Sequence, residues 1–548
     1  MDGTCGDYDQ MEEDPFVTHF EQNISLPREW KKEEKHVTLA SLGRVKYTYY
    51  PEVKNVDLSN SIDANLYRIK PIEKLSSLQS DLLTLIYNYV DVFYPMQDIN
   101  TLDLQLVYCL HILNHVLKSN SKIVHHNNKL KKRSDIPDEF RDQGLTSPKV
   151  LVIVPFRNVA LEIVSTLISL LGDEANIMNK KRFYTDYGYE ESDKPKLKRP
   201  DDYEKMFAGN IDDSFRIGIS IKKKYMKLFA EFYSADVIIA SPLGLRTIIG
   251  AEGEKDRDYD FLSSIEILIF DKCDVFLMQN WEHVIHLMKH LNLQLQKSHD
   301  CDYFRVRMWC LDGLSKFYRQ TILLSQVITP HLLSLFNKHC FNYAGKIIVK
   351  NQIFHGSISK ILVQLPQVFQ QFDASSYQSA SDERFSFFIS KILPQFKDSS
   401  MSHILIFIPF YWDFVRLRNY FKKEELSFTQ LCEYSSNEKI AKARNIFYRG
   451  IRKFVLCTER FHFFKRYQIK GIQHIIFYQL PIYPHFYSEF CNFMHRSMQS
   501  KSQSLQNTTC TVLYSKYDSL QLSAILGDDK TSYLLSADKK VHMYVSGN

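Results

Sequence analysis

The residues best placed to do chemistry are two carboxylates at the end of an apolar run. Ile265-Glu266-Ile267-Leu268-Ile269-Phe270 leads directly into Asp271-Lys272-Cys273-Asp274. An apolar run that ends in an acid is how a buried parallel strand delivers a carboxylate to the rim of an α/β sheet, where ligands bind. Such a rim carboxylate suits a magnesium ion on a nucleotide phosphate, with a glutamate directly after it to handle the attacking water. Here the next residue is Lys272.

Phosphate chemistry also needs a loop of the form G-x-x-x-x-G-K-[ST]. Glycine lets backbone N–H groups approach phosphate, and the lysine and hydroxyl serve phosphate and metal. The chain has 18 glycines in 548 residues and none between Gly43 and Gly144, the region ahead of Val154–Ala160 where the loop belongs. Its single Gly-Lys pair, Gly345-Lys346, is followed by Ile347. Phosphoryl transfer further needs cations at the developing charge. Past the Leu480-Pro481 turn only Met494-His495-Arg496 through Lys501 is available for that, with no glycine and one arginine. These gaps predict a chain that is not an enzyme, with no catalytic residue, no cofactor and no metal.

The elements around these residues alternate. Strands are predicted at Lys149–Phe156, Phe215–Ile221, Asp236–Ala240, Ile265–Phe270, Gln320–Leu324 and Lys346–Val349, with helical spacing between them. Helical spacing also covers Leu75–Val90 and Thr101–Leu117, followed by a basic connector, Lys122 to Arg133. A polar stretch over 364–381 marks the start of a second domain, where the alternation resumes: helices at Asp382–Gln395 and Tyr411–Lys422, strands at His403–Ile408, Phe428–Cys432, Lys453–Cys457, His474–Gln479 and Cys510–Tyr514, and one more element at Val541–Val545. The expected fold is α/β, two RecA-like parallel-sheet lobes with a mostly irregular N-terminal extension. The expected division is 1–71 extension, 72–355 first lobe and 356–548 second lobe. Periodicity alone also fits two unrelated doubly wound domains.

Four stretches occur in order on strand ends: Val154-Pro155-Phe156-Arg157-Asn158-Val159-Ala160, Ala240-Ser241-Pro242-Leu243-Gly244-Leu245-Arg246, Asp271 to Asp274, and Gln320 to Ser325. Together they resemble the first-lobe motifs of DEAD-box RNA helicases. Longer stretches are more specific: Asp274–His283, Phe336–Gly345, Lys470–Glu489 and Leu513–Asp518. They resemble the digestive organ expansion factor family, the helicase-like component numbered twenty-five of the U-three small nucleolar RNA-associated proteins. That resemblance implies a nucleolar, hence nuclear, ribonucleoprotein component of the small-subunit processome, needed for early ribosomal RNA processing and ribosome biogenesis. Its implied partners are pre-ribosomal RNA, the U-three small nucleolar ribonucleoprotein and other processome proteins. Neither a membrane nor a small-molecule substrate is expected. Members of the family commonly start with a long acidic region, and this chain has only a stub at residues 1–14. With the gaps above, the expected role is a pseudo-helicase scaffold that binds RNA. An RNA-dependent ATPase or helicase with divergent motifs, and a purely protein-binding adaptor, stay open as alternatives.

RNA contact by such lobes does not require ATP, since a phosphate contact needs only a cation or N–H group in the right place. In the first lobe the candidates are Arg157, Ser241, Gly244 and Arg246. Arg157 reads equally well as a residue that pairs with a carboxylate. In the second lobe, Arg452 and Lys453 together with Arg460, Lys465 and Arg466 are interleaved with Phe461, Phe463, Phe464 and Tyr467. That mixture suits single-stranded RNA, although helical spacing assigns most of the rings to the core. The runs Lys129–Arg133 and Lys222–Lys224 read as solvated or localisation segments.

Bulk composition agrees with a folded, soluble, intracellular protein. A net charge of +6 permits polyanion binding without demanding it. Ten cysteines, none at C-x-x-C spacing, indicate buried thiols in a reducing compartment. No stretch reaches the roughly 18 apolar residues of a membrane span.

Overall fold

The computed structural model describes residues 14–21, 24, 31–51, 75–97, 101–131, 140–189, 199–397, 401–499 and 508–546. The acidic stub before Asp14 lies outside them. The chain divides into two compact units, Met1–Asn351 and Gln352–Asn548.

In the first unit the described strands are β1 (Glu33–Leu39), β2 (Gly43–Tyr49), β3 (Asp91–Tyr94), β4 (Val150–Ile153), β5 (Asn176–Met178), β6 (Arg216–Lys222), β7 (Tyr225–Ala230), β8 (Val237–Ala240), β9 (Ile267–Phe270), β10 (Gln320–Leu324) and β11 (Lys346–Val349). They form one sheet in the order β1-β2-β11-β3-β10-β9-β4-β8-β6-β7-β5. The centre, from β11 to β8, is parallel, and β2 and β6 join it antiparallel on either side. The strand carrying the acidic pair is central, with Ile269 opposite Val152 on one side and Ile322 on the other. Ile267 and Ile269 pack with the helices Thr101–Leu130 and Arg157–Leu171, while Leu268 and Phe270 pack with Pro242–Ile249, Trp281–His290 and Pro330–His339. Cover on both faces is why β4 and β9 are apolar without alternation, and why β10 is so after Gln320 and Thr321.

Several elements depart from the expectation. β3 follows the helix Ser77–Tyr87 after a turn at Tyr89, whose φ is +57°, and was hidden under the helical spacing that runs to Val90. Lys132 and Arg133 of the predicted basic connector lie outside the described residues, and its residues 122–130 are instead the last turns of the helix Thr101–Leu130. Its His126 faces inward to Asp142 at 2.7 Å, so this side of the run is not solvated. In the extension, Pro15–Phe20 is helical, with Phe16 and Phe20 buried, and β1-β2 is a hairpin added to the sheet.

The second unit contains β12 (Leu365–Gln371), β13 (Ile404–Ile408), β14 (Phe428–Leu431), β15 (Phe454–Thr458), β16 (His474–Phe477), β17 (Thr509–Tyr514) and β18 (Val541–Ser546). Their order is β14-β15-β13-β16-β17-β12-β18, all parallel except β18. Both units are mostly parallel α/β sheets, as the alternation of elements predicts. β12 corrects the reading of 364–381 as patternless. Leu365, Gln367 and Phe369 alternate inward, and buried Gln367 is satisfied by the Tyr487 hydroxyl at 2.6 Å and the Ser546 hydroxyl at 2.8 Å. Among the described residues no helix is long and apolar enough to cross a membrane. The nine described cysteines are all free.

Candidate functional site

β9 delivers Asp271 to the C-terminal rim of the first sheet, and what meets it there decides its chemistry. β3 ends at Tyr94, and Pro95-Met96-Gln97 follows in the place a phosphate loop would take. The Gln97 backbone N–H donates to Ser325 O at 2.9 Å, which pins the segment against the end of β10. Its side-chain amide donates to Asp271 Oδ1, and its amide oxygen accepts from the Lys272 N–H at 3.1 Å. From the helix Thr101–Leu130, the Tyr108 hydroxyl donates to Asp271 Oδ2 at 2.8 Å. Both oxygens of a carboxylate only 2% exposed therefore accept hydrogen bonds from within the protein. Burial and the adjacent Asp271 charge push the Tyr108 hydroxyl well above its usual pKa, so it stays a donor.

Lys272 is half-buried with φ at +53°, a left-handed conformation that turns the chain sharply after Asp271. Asp274 accepts from the Gln326 N–H at 2.9 Å, with the Ser325 hydroxyl 3.3 Å away, so the second carboxylate fixes the loop after β10.

The other sequence-derived positions in this unit are engaged by neighbours. Arg157 pairs with Asp212 at 2.8 Å, donates to Asp186 O at 2.9 Å, and stands over the Tyr187 ring at 5.3 Å. Its side chain keeps 25% exposure. Ser241 is buried and caps the helix Pro242–Ile249: its oxygen accepts the Gly244 N–H at 2.9 Å and its hydroxyl donates to Asp213 O. At Gly244 a Cβ would lie 2.0 Å from Phe215 O, so this helix packs directly on the backbone leading into β6. Arg246 bonds His286 and Gly250 O at the same helix's end.

In the second unit the predicted basic surface is split by β15. Exposed Arg452 and half-buried Lys453 precede the strand, whereas Arg460, Lys465 and Arg466 follow it at the opposite edge of the sheet. Arg460 lies 3.6 Å from Glu433. Arg466 is buried, bonded to Glu489 at 2.9 Å and stacked over Phe486 at 4.5 Å. Phe461 and Phe463 are core, whereas Phe464, which helical spacing groups with Phe461, is half-buried. Glu459, wholly buried, accepts the Ile482 and Tyr483 N–H groups at 2.9 and 3.0 Å. Burial still pushes its carboxyl up to about 8.

Comparison with known proteins follows the same division. A family profile described as UTP25, NTP hydrolase-like domain matches residues 89–347, and one described as Utp25, C-terminal domain matches 357–544. The U3 small nucleolar RNA-associated protein 25 homolog of Xenopus tropicalis is 49% identical over 98% of this chain and 74% of its own length. The chain belongs to this family.

The human U3 small nucleolar RNA-associated protein 25 homolog is 51% identical over 87% of the chain, and the match spans 64% of that protein's length. Among solved structures, the yeast DEAD-box splicing factor Prp28 is 12% identical, covering 85% of this chain and 83% of that one at a TM-score of 0.30. The UTP25 hydrolase-like region begins two residues before β3, so the Pro95–Gln97 segment lies inside it. Gln97 and Tyr108 are the functional positions sequence reading missed. Nothing local marks them, because the contact to Asp271 spans 174 residues for Gln97 and 163 for Tyr108.

Proposed function

We propose that this chain is a non-enzymatic, helicase-like scaffold of the small-subunit processome. In this reading it works in the nucleolus with the U3 small nucleolar ribonucleoprotein and pre-ribosomal RNA during early rRNA processing. The names of its relatives support the U3 association. The observation that carries the absence of turnover is the engaged carboxylate: Gln97 and Tyr108 each donate to one oxygen of Asp271. These donors compete with a magnesium ion for the carboxylate, and the segment after β3 has no glycine with which to cradle a phosphate.

RNA contact is assigned to the cations that keep exposed surface, Arg157, Arg452, Lys453, Arg460 and Lys465, with Ser241, Gly244 and Arg246 shaping the backbone near Arg157 and Arg466 fixing the end of its helix. The test is purified chain incubated with RNA and radiolabelled ATP. The expected result is no release of phosphate above the protein-free rate. Magnesium-dependent turnover that disappears in Asp271→Ala would overturn the scaffold reading.

A further inference from the structure

Three neighbouring parallel strands of the second unit, β14, β15 and β13, end side by side, with Leu431 level with Cys457 and Ile408 level with Thr458. The chain leaves β13 as Pro409-Phe410-Tyr411-Trp412, leaves β14 as Cys432-Glu433-Tyr434 and leaves β15 as Glu459-Arg460. The C-terminal ends of parallel strands are where open α/β sheets place ligands. Trp412 is 82% exposed and Tyr434 67% exposed. Tyr411 lies between them, its ring centroid 6.4 Å from that of Trp412 and 5.0 Å from that of Tyr434, and it rests on Phe414 at 5.8 Å. Arg460 stands beside Tyr434 through Glu433, and Arg418 lies over Phe414 at 6.0 Å.

These rings do little for the fold. A tryptophan with most of its surface in water gains almost no burial, and contiguous exposed aromatic surface marks a place of contact. Segments 409–412 and 432–436 contain no Leu, Ile, Val or Met, so the exposed apolar surface they contribute is aromatic rather than aliphatic. Planar rings flanked by guanidinium groups match single-stranded nucleic acid, whose bases stack on the rings while arginine meets phosphate.

We propose that the rim formed by Trp412, Tyr411 and Tyr434, with Arg460 and Arg418, is a base-stacking platform for single-stranded RNA. The inference rests on the RNA-binding reading above and names where and how the strand is held. Trp412 and Tyr434 each receive a base, and Tyr411 braces both rings from beneath.

The test measures fluorescence anisotropy of a fluorescein-labelled oligouridylate with the full chain across a salt series. Trp412→Ala weakens binding about ten-fold, the size expected for losing one stacked base. Trp412→Phe keeps most of the affinity, and Trp412→Ala with Tyr434→Ala loses more than either alone. Stacking carries no counterion, so the salt slope is unchanged in Trp412→Ala, whereas Arg460→Ala lowers it by about one. Binding by the wild-type chain that neither aromatic variant alters overturns the platform and leaves the RNA-binding reading standing. No binding by the wild-type chain overturns both. A photocrosslinking phenylalanine at position 412 that yields protein adducts and no RNA adduct in nuclear extract overturns the platform in favour of a protein occupant.

Discussion

Tyr108 tests the seal one atom at a time. Its hydroxyl is the described donor to Asp271 Oδ2, and the pair is buried. Tyr108→Phe keeps the ring and leaves a carboxylate oxygen without its donor, which costs about 1–3 kcal/mol for a buried group of this kind. Chemical denaturation of the variant reads this as a lowered midpoint with an unchanged slope. A midpoint equal to wild type would mean that Asp271 is hydrated, and the rim open. Asp271 itself was legible in the sequence, because a strand buried on both faces is apolar without a break and its terminating acid stands out. Gln97 was not, since a glutamine in a short loop has many uses and only tertiary contact selects one.

At the scale of elements, Glu459 ties the end of β15 to the turn that opens the helix Pro484–Gln499. Its folded pKa, about 8, lies above the ordinary glutamate value of 4.5 because burial outweighs the two N–H donors. The folded state therefore binds the proton more tightly than the unfolded one. The stabilisation is fully present below about pH 4.5 and is lost as pH rises through about 8. Glu459→Gln, which holds a neutral side chain at every pH, flattens this part of the pH dependence. Thermal melts between those limits, compared with wild type, check it, and parallel curves would show that the carboxyl titrates normally. The strands legible in sequence had either an apolar run, as β4, β9 and β13 do, or apolar residues at alternate positions, as β6 and β18 do. β12 escaped because its inward positions include Gln367, a polar residue made acceptable by Tyr487 and Ser546. β3 escaped because only Asn88 to Val90 separates it from the helix before it, and the helical spacing runs on through them.

For the whole molecule, the division at Asn351 and Gln352 gives each unit its own sheet and its own buried core. We propose that residues 352–548, expressed alone, fold cooperatively, and that the sequence-derived boundary at 356 falls within the same connection. A sigmoidal thermal transition with slowed amide exchange in β13, β15 and β16 is the expected result. Binding of a hydrophobic dye without such a transition would show that the unit depends on the first. The two-lobe plan was readable from the alternation of elements. The missing glycines of the first lobe were readable in the sequence, but the contacts of Gln97 and Tyr108 with Asp271 were not.

That cluster also couples its members. Gln97 and Tyr108 meet the same buried carboxylate from different elements, so replacing either alone leaves an oxygen of Asp271 without its donor, and replacing Asp271 alone leaves two donors unpaired. Substitutions at these three positions therefore do not add: the second change costs less than the first, because the partner it would have stranded is already gone.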